Sequence, residues 1–170
     1  TRVAAVYDLG GDDRYDYGDT SDKGAISMRI VIDLAGDDTH ESTAGFEGPA
    51  TACYGFSLLD DRQGDDTYRS SQPFSIASGL MGFGVLIDRQ GDDVYEAKGE
   101  ASGWGIGAGF WGAGILIDQD GHDVYDGERY VQGVGGPRGL GQVLDVKGKD
   151  LYRANGPSFG SVYGTPAVYV

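Results

Sequence analysis

A single cysteine, Cys53, excludes a disulfide framework. Basic residues are scarce, with 13 Lys and Arg against 27 Asp and Glu, so the formal net charge is -14. Nucleic acid and anionic membrane surfaces repel such a chain, and cationic partners are favoured instead. Long apolar runs are missing as well. The longest, Ile106 to Ile117, is interrupted by glycines and too short to cross a bilayer, so no membrane insertion is expected. No signal peptide is visible and the chain starts at Thr1 without methionine, which points to a processed, trimmed or excised chain.

The 170 residues suffice for one domain with a real core, and 39% hydrophobic content separates the chain from disordered acidic tails. Its acidity is organised. Six copies of one motif read AVYDLGGDDRY, IVIDLAGDDTH, LLDDRQGDDTY, VLIDRQGDDVY, ILIDQDGHDVY and QVLDVKGKDLY. Their central glycines, Gly11, Gly36, Gly64, Gly91, Gly121 and Gly148, are spaced by 25, 28, 27, 30 and 27 residues. An Asp stands three before each glycine (Asp8, Asp33, Asp61, Asp88, Asp118, Asp145) and another two after it (Asp13, Asp38, Asp66, Asp93, Asp123, Asp150). The position directly after the glycine holds Asp12, Asp37, Asp65 and Asp92, then His122 and Lys149.

Each copy couples a β-branched and aliphatic run to a turn and a brief alternating segment, hence strand, turn, strand. Upstream lies a third element with small residues at Gly24, Ala52, Gly79, Gly109 and Gly136. So much glycine nearly excludes helices. A repeat near 27 residues with two or three short strands, stacked on copies of itself, predicts an all-β parallel β-solenoid of about six coils, right-handed by the usual crossover chirality. A propeller blade needs roughly 40 to 50 residues. The coils span 1–152, and 153–170 reads as a C-terminal cap or a truncated further coil.

Asp followed three residues later by Gly is a type I turn signature, so the first aspartate of each copy can be a turn maker alone. In a solenoid, however, like charges one strand spacing apart destabilise each other. Backbone N–H groups, arginines, protonation or a bound cation must compensate them. Paired carboxylates in a glycine turn are hard oxygen ligands of the kind calcium takes six to eight of. The expected calcium ligands are Asp8, Asp12, Asp13, Asp33, Asp37, Asp38, Asp61, Asp65, Asp66, Asp88, Asp92, Asp93, Asp118 and Asp123. Lys149 is either a built-in counterion where the stack ends or an ordinary solvent-facing residue.

GDDVY and its variants resemble the second half of the RTX nonapeptide, with Gly91, Asp93 and Tyr95 on its last glycine, its aspartate and its apolar position. The likeness covers five or six residues per coil; the leading glycines are mostly absent, and two nonapeptides would repeat at 18 residues. The resemblance implies a calcium-loaded parallel β-roll, secretion, and folding outside the cell. It also turns inward the aromatic or imidazole that stands four residues after each glycine (Tyr15, His40, Tyr68, Tyr95, Tyr125, Tyr152), making a core ladder; facing outward, the same rings would be a glycan platform.

Other signals are weak. GAGFWG at 107–112 fits a dinucleotide fingerprint but leads into a strand, where that site needs a helix. His40 and His122 sit in different turn positions without a recurring nucleophile beside them, and both are expected at the surface. Taken with what the resemblance implies, the residues lead to the expectation of a non-enzymatic, extracellular bacterial solenoid stabilised by calcium, a spacer, adhesin segment or surface-assembly subunit able to stack end to end. The alternative is a β-helix lyase or hydrolase acting on acidic polysaccharide, which should break the repeat with a cluster of basic residues or paired carboxylates; no such break is present.

Overall fold

In the computed structural model, which describes residues 2–18, 27–99 and 102–156, the chain winds into an all-β parallel solenoid, and no helix occurs among those residues. The first face is a six-stranded parallel sheet of β1 (Arg2–Tyr7), β3 (Ser27–Ile32), β6 (Phe56–Asp60), β9 (Phe83–Asp88), β12 (Ala113–Asp118) and β14 (Leu140–Asp145). The second is built from the segments after the glycine turn: β2 (Arg14–Asp16), β4 (Thr39–Ser42), β7 (Thr67–Ser70), β10 (Val94–Ala97), β13 (Val124–Gly127) and β15 (Leu151–Ala154). A third, narrower face holds β5 (Ala52–Cys53), β8 (Gly79–Leu80) and β11 (Gly109–Phe110), the small-residue element expected upstream of each motif. Six layers separated by about five turns result.

The register aligns every motif with its copies. Asp88 pairs with Asp118 and Asp118 with Asp145, while Tyr68, Tyr95, Tyr125 and Tyr152 align on the second face. Alternation then decides what enters the core. Val31, Leu59, Leu86 and Leu116 point inward from the first face, and Tyr68, Tyr95 and Tyr125 from the second. The inward aromatics stack face to face, with centroids 4.5 Å apart for Tyr15 and His40, 5.2 Å for His40 and Tyr68, 4.9 Å for Tyr68 and Tyr95, 4.8 Å for Tyr95 and Tyr125, and 4.5 Å for Tyr125 and Tyr152. Each stack contributes about 0.5–1.5 kcal/mol beyond the area it buries. Buried in this way, the ladder is core and offers no platform to sugars. His40 is a correction to the sequence reading: it is fully buried within the ladder, because its place four residues after Gly36 is a core position whatever residue fills it. His122 is exposed, as expected.

The motif glycine has a steric reason. A Cβ on Gly91 would overlap the carbonyl oxygen of Gly64 in the coil below, and the same holds for Gly36 against Gly11 and Gly64 against Gly36. The corner between the third and first faces shows the opposite habit. Tyr54, Met81, Trp111 and Arg138 occupy equivalent positions there with φ of 57°, 49°, 51° and 50°, a left-handed conformation that costs bulky residues energy. Tyr54, Met81 and Trp111 are exposed. Of the proposed cap, residues 153–154 continue β15, and 157–170 lie outside the described residues, as does Gly24.

Candidate metal sites in a buried carboxylate column

At the glycine turn the backbone ladder skips a step, and side chains fill it. The N–H of Thr67 donates to the carbonyl of Asp38, and that of Gly64 to Gln90, but the two N–H groups between them find no carbonyl. Carboxylates take both, in opposite axial directions. Asp66 N–H donates to Asp93 Oδ1 of the following coil at 2.7 Å, and Asp65 N–H to Asp37 Oδ1 of the preceding one at 3.0 Å. The inner ladder continues from Asp13 to Asp38 at 2.6 Å, Asp38 to Asp66 at 2.6 Å, Asp93 to Asp123 at 2.8 Å and Asp123 to Asp150 at 3.1 Å. The outer ladder runs through Asp12, Asp37, Asp65 and Asp92 to His122, whose Nδ1 accepts the N–H of Lys149 at 3.0 Å. This explains why Asp can give way to His there. Any side-chain acceptor of the right reach serves, and the last position, exposed Lys149, needs only its N–H.

The outer carboxylates face solvent; the inner ones between the two ends of the ladder do not. Asp38, Asp66, Asp93 and Asp123 are buried, and so are Asp33, Asp61, Asp88 and Asp118 from the end of the first face. Tyrosine hydroxyls satisfy part of the second group. Tyr68 Oη donates to Asp88 Oδ2 at 2.6 Å, Tyr95 and Tyr125 both donate to Asp118 Oδ2 at 2.8 and 2.9 Å, and Tyr15 Oη lies 2.9 and 2.5 Å from Asp8 and Asp33, which share its one proton. The turn-maker role holds at Asp8 and Asp33, which accept the N–H of Gly10 and Ala35 at 3.2 and 3.3 Å. Further along it fails. Asp88 Oδ1, Asp118 Oδ1 and both oxygens of Asp61 are buried without a hydrogen-bond partner, as are Oδ2 of Asp38, Asp66, Asp93 and Asp123.

The carboxylates of neighbouring coils converge. Asp66, Asp88 and Asp93 bring one ligand atom each within 4.8 Å of one another, and so do Asp93, Asp118 and Asp123, then Asp123, Asp145 and Asp150, and finally Asp38, His40 and Asp61. Of the fourteen expected ligands, Asp38, Asp61, Asp66, Asp88, Asp93, Asp118 and Asp123 are thus gathered. Asp8, Asp12, Asp13, Asp33, Asp37, Asp65 and Asp92 belong to none of these groups, while His40, Asp145 and Asp150 join them unforeseen. His40 was hidden because a lone imidazole carries no spacing signal; its identity as a ladder member was the available clue.

Burial is the leading reason these groups resist ionisation. It pushes Asp93 up to about 10, helped by the charge of Asp88, and Asp66 up to about 9, helped by Asp61. Asp123 rises to about 8, and Asp38 and Asp88 to about 7, from the same cause. Asp118 and Asp145 shift upward too. Asp8, at the open end of the column, shifts the other way, because Gly10 N–H and the Tyr15 hydroxyl favour its charged form.

Together these features define the class: a parallel β-solenoid of about five turns, period near 27, with buried acidic clusters able to hold metal ions. Comparison with protein-family models, curated proteins and solved structures finds no match for the chain.

The three all-carboxylate groups offer only hard oxygen donors, one from each aspartate, with Asp93 and Asp123 each shared by two groups.

Proposed function

We propose that the chain is a non-enzymatic, extracellular bacterial scaffold, a rod-like spacer or surface-assembly module, whose inner carboxylate column is neutralised by calcium. The observation that carries this reading is the stack of orphaned carboxylate oxygens at Asp66, Asp88, Asp93, Asp118 and Asp123. Protons alone are a costly remedy at neutral pH. A carboxyl that ionises near 3.9 in the unfolded chain and stays protonated in the fold forgoes about 4 kcal/mol at pH 7. Three such groups would consume about 12 kcal/mol, the whole net stability of an ordinary domain. A divalent ion removes that cost. Dependence on calcium suits the extracellular medium, where weak calcium modules are loaded.

A structural role agrees with where the acids sit. The carboxylates best suited by their shifted protonation to acid or base work are sealed in the core, beyond reach of a glycosidic bond, which weighs against the polysaccharide-cleaving alternative. The exposed carboxylates Asp37, Asp65 and Asp92 are occupied in holding neighbouring coils together.

Calcium titration calorimetry on the chelator-treated chain tests the reading, using Asp93→Asn and Asp92→Asn as a pair. Asp93 belongs to two of the clusters and Asp92 to none. Asp93→Asn should lose most of the binding heat while Asp92→Asn keeps it. Equal binding in the two variants, or no heat with the native chain, defeats the calcium assignment.

A further inference from the structure

The second coil breaks the aromatic ladder at one residue, His40. In the third and fourth coils the tyrosine hydroxyl reaches the first aspartate of the following coil, Tyr68 to Asp88 and Tyr95 to Asp118. Imidazole is shorter, and His40 Nε2 stops 3.4 Å from Asp61 Oδ2. Neither oxygen of Asp61 then has a hydrogen-bond donor, and His40 Nε2 and Asp38 Oδ2 are unpartnered as well. All three side chains are buried, with one ligand atom of each within 4.8 Å of the others.

A protonated imidazole would answer one of these oxygens and leave the rest. Moreover, 3.4 Å is long for a charge-assisted hydrogen bond, which settles near about 2.7–2.9 Å. It is roughly the edge of a tetrahedron of ligands around an ion with bonds of about 2.0–2.1 Å. We propose that His40 Nε2, Asp61 and Asp38 form a transition-metal site of zinc-like chemistry, distinct in donor and ion from the all-oxygen clusters further along the column. His40 Nε2 and one oxygen from each aspartate would supply three protein donors, and a water would complete a four-coordinate shell.

The surroundings prepare the imidazole for this role. Tyr17 Oη lies 2.9 Å from His40 Nδ1; in the metal-bound tautomer it would accept the Nδ1 proton and leave the Nε2 lone pair for the ion, the outer-shell arrangement expected of a ligating histidine. The rings of Tyr15 and Tyr68 clamp the imidazole plane at 3° and 11°. Asp38 is aimed by its other oxygen, which accepts the N–H of Asp13. An imidazole donor shifts preference from hard calcium toward zinc and its neighbours. The inference goes beyond the calcium reading and does not depend on it.

The test uses the whole chain, unfolded in chelator and refolded with zinc chloride or cobalt chloride as the sole added metal. Native mass spectrometry should show one zinc per chain, and cobalt should give the intense visible absorption of a four-coordinate site. His40→Tyr rebuilds the ladder's usual ring and hydroxyl and should weaken zinc binding by more than roughly 100-fold, whereas Tyr17→Phe should weaken it by roughly 10–100-fold. A native chain that takes no zinc, or a His40→Tyr chain of undiminished affinity, overturns the proposal. Should His40→Tyr fail to fold, the imidazole ¹⁵N shifts of the native chain decide: Nε2 must move on adding zinc, and a static Nε2 overturns the site. Zinc binding without a calcium response leaves this site standing and removes the calcium column; the reverse result does the opposite.

Discussion

Raising the pH in the presence of a chelator is the sharpest perturbation of the inner column. Asp66, Asp93 and Asp123 are held at about 9, 10 and 8 in the fold, chiefly by burial, and ionise near 3.9 when unfolded. The native state therefore binds more protons than the unfolded state throughout that interval. Stability contributed by these groups is fully present below about pH 4 and is lost as the pH climbs toward 8 to 10. Each retained proton makes the slope about 1.4 kcal/mol per pH unit, so a single shared proton costs about 2.7 kcal/mol between pH 5 and pH 7. For a chain of this size that lowers the melting temperature by roughly 5–10 °C. Thermal unfolding followed by circular dichroism at pH 5, 6, 7 and 8 reads the slope directly, and millimolar calcium should flatten it by replacing protons with a cation. A chelated chain whose melting point climbs from pH 5 to pH 8 would show that these carboxylates ionise freely, and the buried-column argument would be lost.

Three substitutions probe the corner separately. Tyr95→Phe keeps the stacked ring but withdraws one of the two hydroxyls that Asp118 Oδ2 accepts, and should cost about 1–3 kcal/mol in urea unfolding; a neutral result would mean the carboxyl does not need that donor. Gly91→Ala drives a methyl into the Gly64 carbonyl and should destabilise by about 3 kcal/mol or more, visible as a large drop in the unfolding midpoint. Asp65→Asn retains an acceptor for the Asp92 N–H and should stay within about 0.5 kcal/mol of the native chain, whereas Asp65→Ala should lose about 1 kcal/mol; equal losses would show that charge, and not hydrogen bonding, sets the value of the outer ladder.

Much of the fold was legible because the repeat is a translation of one unit. Identical residues at a constant spacing must stack in register if each coil is to bury the same face, so the strand order and the stacked aspartates follow from the motif, whereas the inward turn of the aromatics was favoured only by the family resemblance. The site was legible only in part. Spacing places Asp92 and Asp93 side by side without saying which turns inward, yet one faces solvent and the other is sealed in the core. His40 departs from the surface expectation for a related reason: its place in the ladder, and not its residue type, sets its burial.

The sequence alone determined an all-β stacked coil with superimposed acidic corners, because periodicity and glycine placement are one-dimensional facts that survive in three dimensions. Which acids are satisfied and which are stranded was decided only by the tertiary structure. Two successive N–H groups point toward opposite neighbouring coils, each takes a carboxylate from a different ladder, and the inner aspartates gather across the turn in groups that no linear spacing encodes.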